Sequence, residues 1–331
     1  MGYSVMTARG PIDAGLLGPT LTHEHLFINM RPESQSGVLN NYPLMVEEVK
    51  EFMAVGGVTI VDVTPTELSV GAAPDPVDLV GRVQGGDRAA PDTRDVANLD
   101  AIYRLSEETG INVVVGTGHY RDPFLDRSWF EKLGVDGIAE LLVRDIDEGM
   151  GASNIRAGII GEIGADKWFV SGIEECSFRA AARAHLRTGL AITTHAYRWP
   201  VGLAELDILT SEGVDARRVI IGHCDSVNLP QYHEALARRG AYVQFDTIRN
   251  KSPYDTELRV RFVVNLVRKG YLNQILLSHD ICDISNLKAY GGGGLSFISS
   301  GFRDALRSAG LSDDEFDQIV ISNPQHALTG A

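Results

Sequence analysis

Short apolar runs rich in β-branched residues alternate along the chain with longer segments of helical periodicity. Most of the runs are apolar almost throughout, which is typical of strands in a parallel sheet covered on both faces. The runs predict strands at 16–21, 58–63, 111–116, 157–163, 190–194, 218–222, 241–245 and 274–278. The intervening segments predict helices over 43–55, 93–109, 135–148, 173–188, 203–212, 229–239 and 256–269.

Eight strands that alternate with helices predict an α/β fold, a (β/α)8 or TIM barrel. No linker interrupts the pattern, so we expect a single domain over residues 1–331, with the barrel at 16–331. Residues 1–15 predict a short N-terminal β-hairpin, which we expect to form a lid before the first main strand. A two-domain doubly wound fold is the alternative, but no Gly-x-Gly-x-x-Gly motif follows an early strand.

Composition narrows the class of protein. A chain of 331 residues with 44% hydrophobic content buries a sizeable core. The net charge of −14 argues against nucleic acid or an anionic membrane surface as a partner. The sequence has no recognisable leader or long apolar span, and its three cysteines are too widely spaced for a disulfide framework, so we expect a cytoplasmic protein.

Polar residues with metal-binding chemistry fall at the ends of the predicted strands. His23 and His25 close the first strand, and residues two apart in a strand project from the same face. Neutral histidine is the commonest nitrogen ligand of zinc. Acids and histidines recur at four later strands, namely Glu162, His195, His223 and Asp280. Because barrel active sites form at the carboxyl ends of the strands, these positions together predict a metal site.

Seven motifs have the order and spacing of a known family. They are Thr22-His23-Glu24-His25-Leu26, Gly116-Thr117-Gly118 followed by Tyr120, Gly161-Glu162-Ile163-Gly164, Thr194-His195, Ile221-Gly222-His223-Cys224-Asp225, Leu277-Ser278-His279-Asp280 and Asn323-Pro324. Over essentially the whole chain, the sequence resembles the phosphotriesterase-related branch of the amidohydrolase superfamily. The resemblance implies a homodimer with two divalent metal ions in each chain, most commonly Zn²⁺, with Mn²⁺ or Co²⁺ as alternatives.

The resemblance also assigns the ligands. His23, His25 and Asp280 would hold the more buried ion, His195 and His223 the more exposed one, and Glu162 would bridge the two. The best-known phosphotriesterases and related lactonases have a carboxylated lysine at the bridging position. Glu162 places this chain with the subgroup that uses glutamate, so the centre should assemble without bicarbonate.

Such a centre implies hydrolysis. Two divalent ions can share a hydroxide and lower its pKa, and that hydroxide would attack a carbonyl or phosphoryl centre. Asp280 would be the catalytic residue that accepts the proton and passes it to the leaving group. We expect His279, on the opposite side of the strand, to have a structural role.

Side chains in the loops after the strands are candidates for substrate binding. They are Tyr120, Arg121, Arg198, Trp199, Arg249 and Lys288. Tyr120 aligns with a pocket-lining aromatic of related lactonases. Cationic loop residues in an acidic protein favour an anionic substrate, because arginine pairs bidentately with carboxylate or phosphate. The alternative is that these are solvated charges paired with Asp122, Asp246 or Asp283.

The expected function is hydrolysis of a small anionic lactone, ester or amide. Phosphotriester hydrolysis is the first alternative, and it is favoured if the pocket is apolar and the arginines turn outward. A binding barrel without catalysis and a nucleotide-dependent oxidoreductase are the others. The glycine tract at 291–294 is a hypothetical hinge for a closing lid.

Overall fold

A computed structural model describes residues 3–31, 33–34, 36–74 and 92–330. Its strands are β1 (Ser4–Thr7), β2 (Gly10–Asp13), β3 (Thr20–Glu24), β4 (Ile28–Asn29), β5 (Val38–Leu39), β6 (Thr59–Asp62), β7 (Asn112–Thr117), β8 (Ile159–Gly164), β9 (Ile192–His195), β10 (Val219–Gly222), β11 (Tyr242–Phe245) and β12 (Ile275–Leu277). Its helices are α1 (Tyr42–Ala54), α2 (Thr66–Ser69), α3 (Val96–Thr109), α4 (Arg127–Asp147), α5 (Gly172–Thr188), α6 (Gly202–Ser211), α7 (Pro230–Arg238), α8 (Pro253–Arg268), α9 (Arg303–Ser308), α10 (Asp313–Asp317) and α11 (Asn323–Thr329).

Eight parallel strands form the central sheet, in the order β12-β11-β10-β9-β8-β7-β6-β3. Strands β3 and β12 lie at the two ends of this order, and side chains bridge the seam between them. The Thr22 hydroxyl donates to the Leu277 carbonyl at 3.3 Å, and the His23 amide donates to Ser278 Oγ at 2.9 Å. The predicted (β/α)8 barrel with an N-terminal hairpin is confirmed.

Apolar residues pack on both faces of this sheet. The larger cluster lies between the strands and the helices. A second cluster takes residues from each of β6 to β12, or from positions beside them, and joins them in one group, so it fills the barrel interior; it contains Val61, Val63, Val114, Ile159, Ala191, Ile220, Tyr242 and Leu276. None of the helices in the described segments is long and apolar enough to cross a membrane.

The hairpin of β1 and β2 closes the barrel at the end opposite to the predicted site. Its Val5 joins the interior cluster beside Ile159, the first residue of β8. The Ala8 amide donates to the Val113 carbonyl near the start of β7 at 2.8 Å. The expected lid therefore covers the amino ends of the strands.

The largest differences from the predicted boundaries are at the starts of β3 and α4. Strand β3 begins at Thr20, because Gly18 has a left-handed φ of 54° and Pro19 has no N–H for a strand ladder. Leu16, predicted to begin this strand, lies in a short helical turn and is exposed. Helix α4 begins at Arg127, before the predicted 135, and has a break at Gly134. Most of the loop predicted at 71–91 lies outside the described residues.

The glycine tract at 291–294 has a defined local geometry. Gly291 and Gly294 have φ of 87° and 62°, a region that glycine enters easily. The amide of Gly292 donates to Leu287 O at 3.0 Å, and that of Gly294 to Asn286 O at 3.0 Å. A Cβ on Gly292 would clash with the backbone carbonyl of Asn286, so Gly292→Ala would distort the turn and would not test a hinge cleanly. The hinge stays a prediction.

A buried carboxyl group on α6 gives the fold a testable pH dependence. Glu205 is fully buried, Thr194 Oγ1 donates to its Oε2 at 2.6 Å, and burial raises its pKa to about 8. The folded protein therefore keeps a proton on Glu205 that the unfolded chain releases above its ordinary pKa of 4.5. From about pH 5 to 8 this group makes the folded state less stable as pH rises, by up to about 1.4 kcal/mol per pH unit.

We expect Glu205→Gln to remove this contribution. The free energy of unfolding of the variant, measured by urea denaturation, should rise relative to the parent as pH increases from 5 to 8. Glu107→Gln, at an exposed position of α3, is the surface control. Parallel stability curves for parent and Glu205→Gln would contradict the prediction.

Candidate metal centre

The predicted metal ligands lie together at the carboxyl ends of the barrel strands. They come from β3, β8, β9, β10 and β12 or the residues just after them. All are buried: His23, His25, Glu162, His195, His223 and Asp280. His23 and His25 face the interior as their spacing predicts, and Glu24 between them turns towards β12.

Glu162 is the centre of this group. Its Oε2 lies 3.1 Å from His195 Nδ1 and 3.5 Å from His223 Nε2. The same oxygen lies 3.4 Å from His23 Nε2, while Oε1 lies 3.5 Å from His25 Nε2. Two clusters of potential metal ligands, one with His23 and His25 and one with His195 and His223, share this carboxylate.

The donor set fits metal cations. His23 Nε2 is buried without a hydrogen-bond partner, and His195 Nδ1 lies 2.7 Å from His223 Nε2. In each cluster the donor atoms lie within 4.8 Å of one another. Converging imidazole nitrogens and a carboxylate are ligands that zinc and similar divalent ions prefer.

Asp280 lies at the edge of the cluster. Its Oδ1 is 3.2 Å from His25 Nε2, and its Oδ2 accepts a hydrogen bond from Arg249 Nη2. The backbone of Asp280 has a φ of 52°, which is uncommon for a residue other than glycine. This conformation directs the carboxylate towards His25 rather than along the strand.

A further layer of buried residues orients the histidine rings. Asp246 accepts from His223 Nδ1 at 2.8 Å and lies 3.4 Å from His23 Nδ1. Gln244 Nε2 donates to Asp246 at 2.8 Å. On the other side, His25 Nδ1 is 3.0 Å from the Thr64 hydroxyl. Such outer partners fix which nitrogen of each ring faces the centre.

The sequence pattern did not identify Asp246 as a site residue and indicated only a partner for loop cations. The signal available was its position directly after the apolar run 241–245, in the same place as the ligands on other strands. Its contacts with His223 and His23 depend on how the strands are arranged around the barrel, so spacing along the sequence did not reveal them.

The electrostatics of the cluster follow from burial and close contact. Burial raises the pKa of Glu162, but the facing His23 and the hydrogen bond with His195 outweigh it, so the pKa lies well below its ordinary value. Burial and the neighbouring His223 lower the pKa of His195 to about 4. Glu162 is therefore an anion and His195 a neutral ring, which are the forms that bind metals.

A cavity of about 590 Å³ opens beside the cluster. Its walls include His25, His195 and Asp280 together with Met30, Glu33, Tyr120, Arg121, Asp166, Tyr197, Arg198, Trp199, Arg249 and Cys282. Five of the six predicted substrate-binding residues thus line the cavity. Tyr120 is buried, with its hydroxyl 3.4 Å from His195 Nδ1.

The three arginines of the cavity differ in their partners. Arg121 pairs with Glu33 and Asp166, and Arg249 pairs with Asp280. The guanidinium carbon of Arg198 lies 5.0 Å from the Tyr197 ring centroid, and among the described residues no carboxylate pairs with it. Two of the arginines are therefore neutralised from within the protein.

Lys288 does not line this cavity. Its ammonium group pairs with Glu51 of α1 at 2.6 Å, and its side chain is about half exposed. The loop after β12 turns back over α1 here, because Glu48 accepts from the Lys288 amide at 2.6 Å. This geometry does not support the predicted substrate contact of Lys288.

Known proteins resemble the chain along its whole length. The Phosphotriesterase homology protein of Escherichia coli is 34% identical over 314 residues, covering 93% of this chain and 96% of that protein. The N-acetyltaurine hydrolase of Xenopus tropicalis is 27% identical, covering 98% and 97%. A crystal structure of a lactonase from Listeria monocytogenes superposes with a TM-score of 0.82 at 25% identity, covering 98% of this chain and 99% of the lactonase.

The match to a family model includes both halves of the barrel and every residue of the candidate metal centre. It spans residues 3–74 and 92–328, and its family is the Phosphotriesterase family. Relatives in this family are named as hydrolases of different substrates, so membership indicates metal-dependent hydrolysis and not one substrate. The chain belongs to the phosphotriesterase family of metal-dependent hydrolases.

Proposed function

We propose that the protein is a binuclear hydrolase that cleaves the acyl bond of a small anionic lactone, ester or amide. The observation that carries the proposal is the sharing of Glu162 by two clusters of histidine ligands. Oε1 of this carboxylate faces His25, and its Oε2 faces His23, His195 and His223, so one anion lies between all four imidazoles and is suited to bridging two cations.

Zn²⁺ is the ion we propose for both positions, with Mn²⁺ or Co²⁺ as alternatives. His23, His25 and Asp280 would hold one ion, His195 and His223 the other, and Glu162 both. When bound, such ions supply Lewis acidity, which acidifies water and polarises a carbonyl group. A homodimer stays a prediction from the family resemblance.

Asp280 is the residue we propose for proton transfer. Burial raises its pKa, but Arg249 and His25 outweigh burial and keep the pKa below its ordinary value, so the carboxylate is ionised near neutral pH. It faces both the histidine cluster and the cavity. From there it can accept a proton from the attacking water and deliver it to the leaving group.

Arg198 is the residue we propose to bind the substrate's anionic group. Arg121 and Arg249 already pair with acids, whereas Arg198 has only its stacking contact with Tyr197 among its described side-chain contacts. Its φ of 68° is unusual, and Ser226 Oγ accepts from its amide at 2.8 Å. The Tyr197 ring lies between Arg198 and the metal cluster, 6.1 Å from the His195 ring.

This arrangement favours a substrate with an anionic group only a few bonds from the scissile carbonyl. Two relatives support an acyl bond, since one is named for N-acetyltaurine, an amide that carries a sulfonate, and another is a lactonase. Arg198, which pairs with no carboxylate among the described residues, makes an uncharged phosphotriester the weaker candidate.

The first prediction concerns Arg198→Ala. For N-acyl or O-acyl substrates with a free carboxylate or sulfonate, KM should rise about tenfold, because a charge-assisted hydrogen bond contributes roughly 1.5–3 kcal/mol. The kcat/KM for the matched methyl ester or uncharged amide should change less than about twofold. Acid release followed with an indicator dye measures both.

Arg127→Ala is the control, since Arg127 is an exposed arginine that pairs with Asp122. It should leave both classes of substrate unaffected. If an uncharged lactone or an aryl phosphotriester is the best substrate of the parent enzyme, or if Arg198→Ala affects charged and uncharged substrates equally, the anionic-substrate proposal is wrong.

The second prediction concerns Glu162→Gln. A neutral amide is a poor bridging ligand, so metal content should fall from about two equivalents to one or fewer, and kcat should fall at least about a hundredfold. Elemental analysis after gel filtration measures the first quantity independently of any substrate. Unchanged metal content would contradict the bridging role.

The third prediction is that reconstitution does not depend on bicarbonate. Glutamate is already a carboxylate, so metal-free protein given Zn²⁺ should regain the same metal content with and without added bicarbonate. A clear requirement for bicarbonate would indicate that a carboxylated lysine takes part.

A further inference from the structure

The metal-binding motif contains one acid that the proposed ligand set does not use. Glu24 lies between His23 and His25, is completely buried, and faces away from the cluster. We propose that Glu24 is a positioning residue, which closes the barrel seam and fixes the backbone that presents Asp280. This inference rests on the proposed role of Asp280 as a metal ligand.

Glu24 accepts four hydrogen bonds, all from residues at the end of β12. Its Oε1 accepts from Ser278 Oγ, from the His279 amide and from His279 Nδ1, each at 2.8 Å. Its Oε2 accepts from the Ile281 amide at 3.0 Å. These four hydrogen bonds replace the hydrogen bonds to water that the carboxylate loses on burial, and so offset the free-energy cost of burying it.

These bonds cross the one seam where the sheet has no ladder. Strands β3 and β12 are the first and last in the order of the sheet, and their backbones are joined here mainly through side chains. Ser278 Oγ donates to Glu24 and accepts from the His23 amide at 2.9 Å. The seam therefore carries a metal ligand on each side, and Glu24 sets their relative position.

Glu24 also holds the backbone on both sides of Asp280. The two amides it accepts from, those of His279 and Ile281, flank Asp280, whose φ is 52°. The Asp280 amide itself donates to the His23 carbonyl at 3.2 Å. A left-handed aspartate persists only where its surroundings determine it, and Glu24 supplies two of those contacts.

His279 extends the contact to the next segment. Its Nε2 accepts from the Ile298 amide at 3.2 Å, so Nδ1 carries the proton and donates to Glu24. These hydrogen bonds are consistent with the structural role expected of His279 from its position in the strand. The histidine orients Glu24 and connects it to the segment that follows the glycine tract.

The experiment compares Glu24→Gln with Glu48→Gln. The amide at position 24 keeps one acceptor and turns an NH2 group towards a backbone N–H, so at least one amide beside Asp280 loses its partner. Glu48 is a matched control, because it is also buried and accepts from two backbone amides, those of Lys288 and Leu295, away from the histidine cluster.

Metal affinity, measured by competition with a chromophoric chelator, should fall about 10- to 100-fold in Glu24→Gln. For the best substrate of the panel, kcat should fall at least about tenfold while KM changes less than about threefold. Glu48→Gln should melt at a lower temperature but keep the parent's metal affinity. Equal metal affinity and kcat in Glu24→Gln and Glu48→Gln would overturn the proposal.

A second pair keeps the test decisive if Glu24→Gln does not fold. His279→Asn retains an N–H that can donate to Glu24, whereas His279→Ala does not. Metal affinity should be largely retained in the first and lost in the second, and equal affinities would overturn the proposal. A parent protein that binds no metal would contradict the proposed function. A parent that binds metal, and whose metal affinity is unchanged by these substitutions, would contradict only the positioning role of Glu24.

Discussion

The loss of hydration on burial is the constraint that organises this end of the barrel. Charged and hydrogen-bonding groups cost free energy when they leave water unless they find partners. Here the atoms of the histidines that face outward meet Asp246, Gln244 and Thr64, while the atoms that face inward meet Glu162. The inward side brings imidazole nitrogens and a carboxylate together, and that convergence defines the candidate site.

Buried charged groups away from the histidine cluster also have partners. Arg94 is fully buried, and it donates to Asp62 at 2.9 Å. Asp62 in turn accepts from the amide of Leu26 at 2.8 Å, directly after His25. The segment of β3 with His23 and His25 thus has buried hydrogen bonds through Asp62 on one side and through Glu24 on the other. Because each contact depends on a neighbour, the shape of the site is a property of the whole network.

Sequence predicted the parts of this protein that depend on local pattern. Apolar runs gave the strands, and the topology of a parallel barrel implied that His23, Glu162 and His223 would meet, since all strands end on one face. The start of β3 was misplaced because an apolar run continues through Gly18 and Pro19. Partners such as Glu24 and Ser278, 254 residues apart, depend on how the barrel closes, and no local pattern encodes that distance.

The partners of the basic loop residues also could not be predicted from local sequence patterns. Three basic residues, Arg121, Arg249 and Lys288, each follow a strand and look alike in the sequence. Their partners come from other loops or helices: Arg121 pairs with Glu33 and Asp166, Arg249 with Asp280, and Lys288 with Glu51. The acids proposed as partners from sequence were different ones. Counting basic residues on one face therefore overestimates the positive charge that a substrate meets.

The closed end of the barrel has a consequence for assembly. Val5 of the hairpin packs in the same interior cluster as Ala327 and Leu328 of α11, so the first and last described elements build one small core together. Contacts between such distant parts of a chain close a long loop, and the burial of apolar surface has to offset the entropy cost of that closure. The apolar face of the hairpin gains its last partners only when α11 is in place. The floor of the barrel, at the pole farthest from the candidate metal centre, therefore depends on elements from both ends of the described chain.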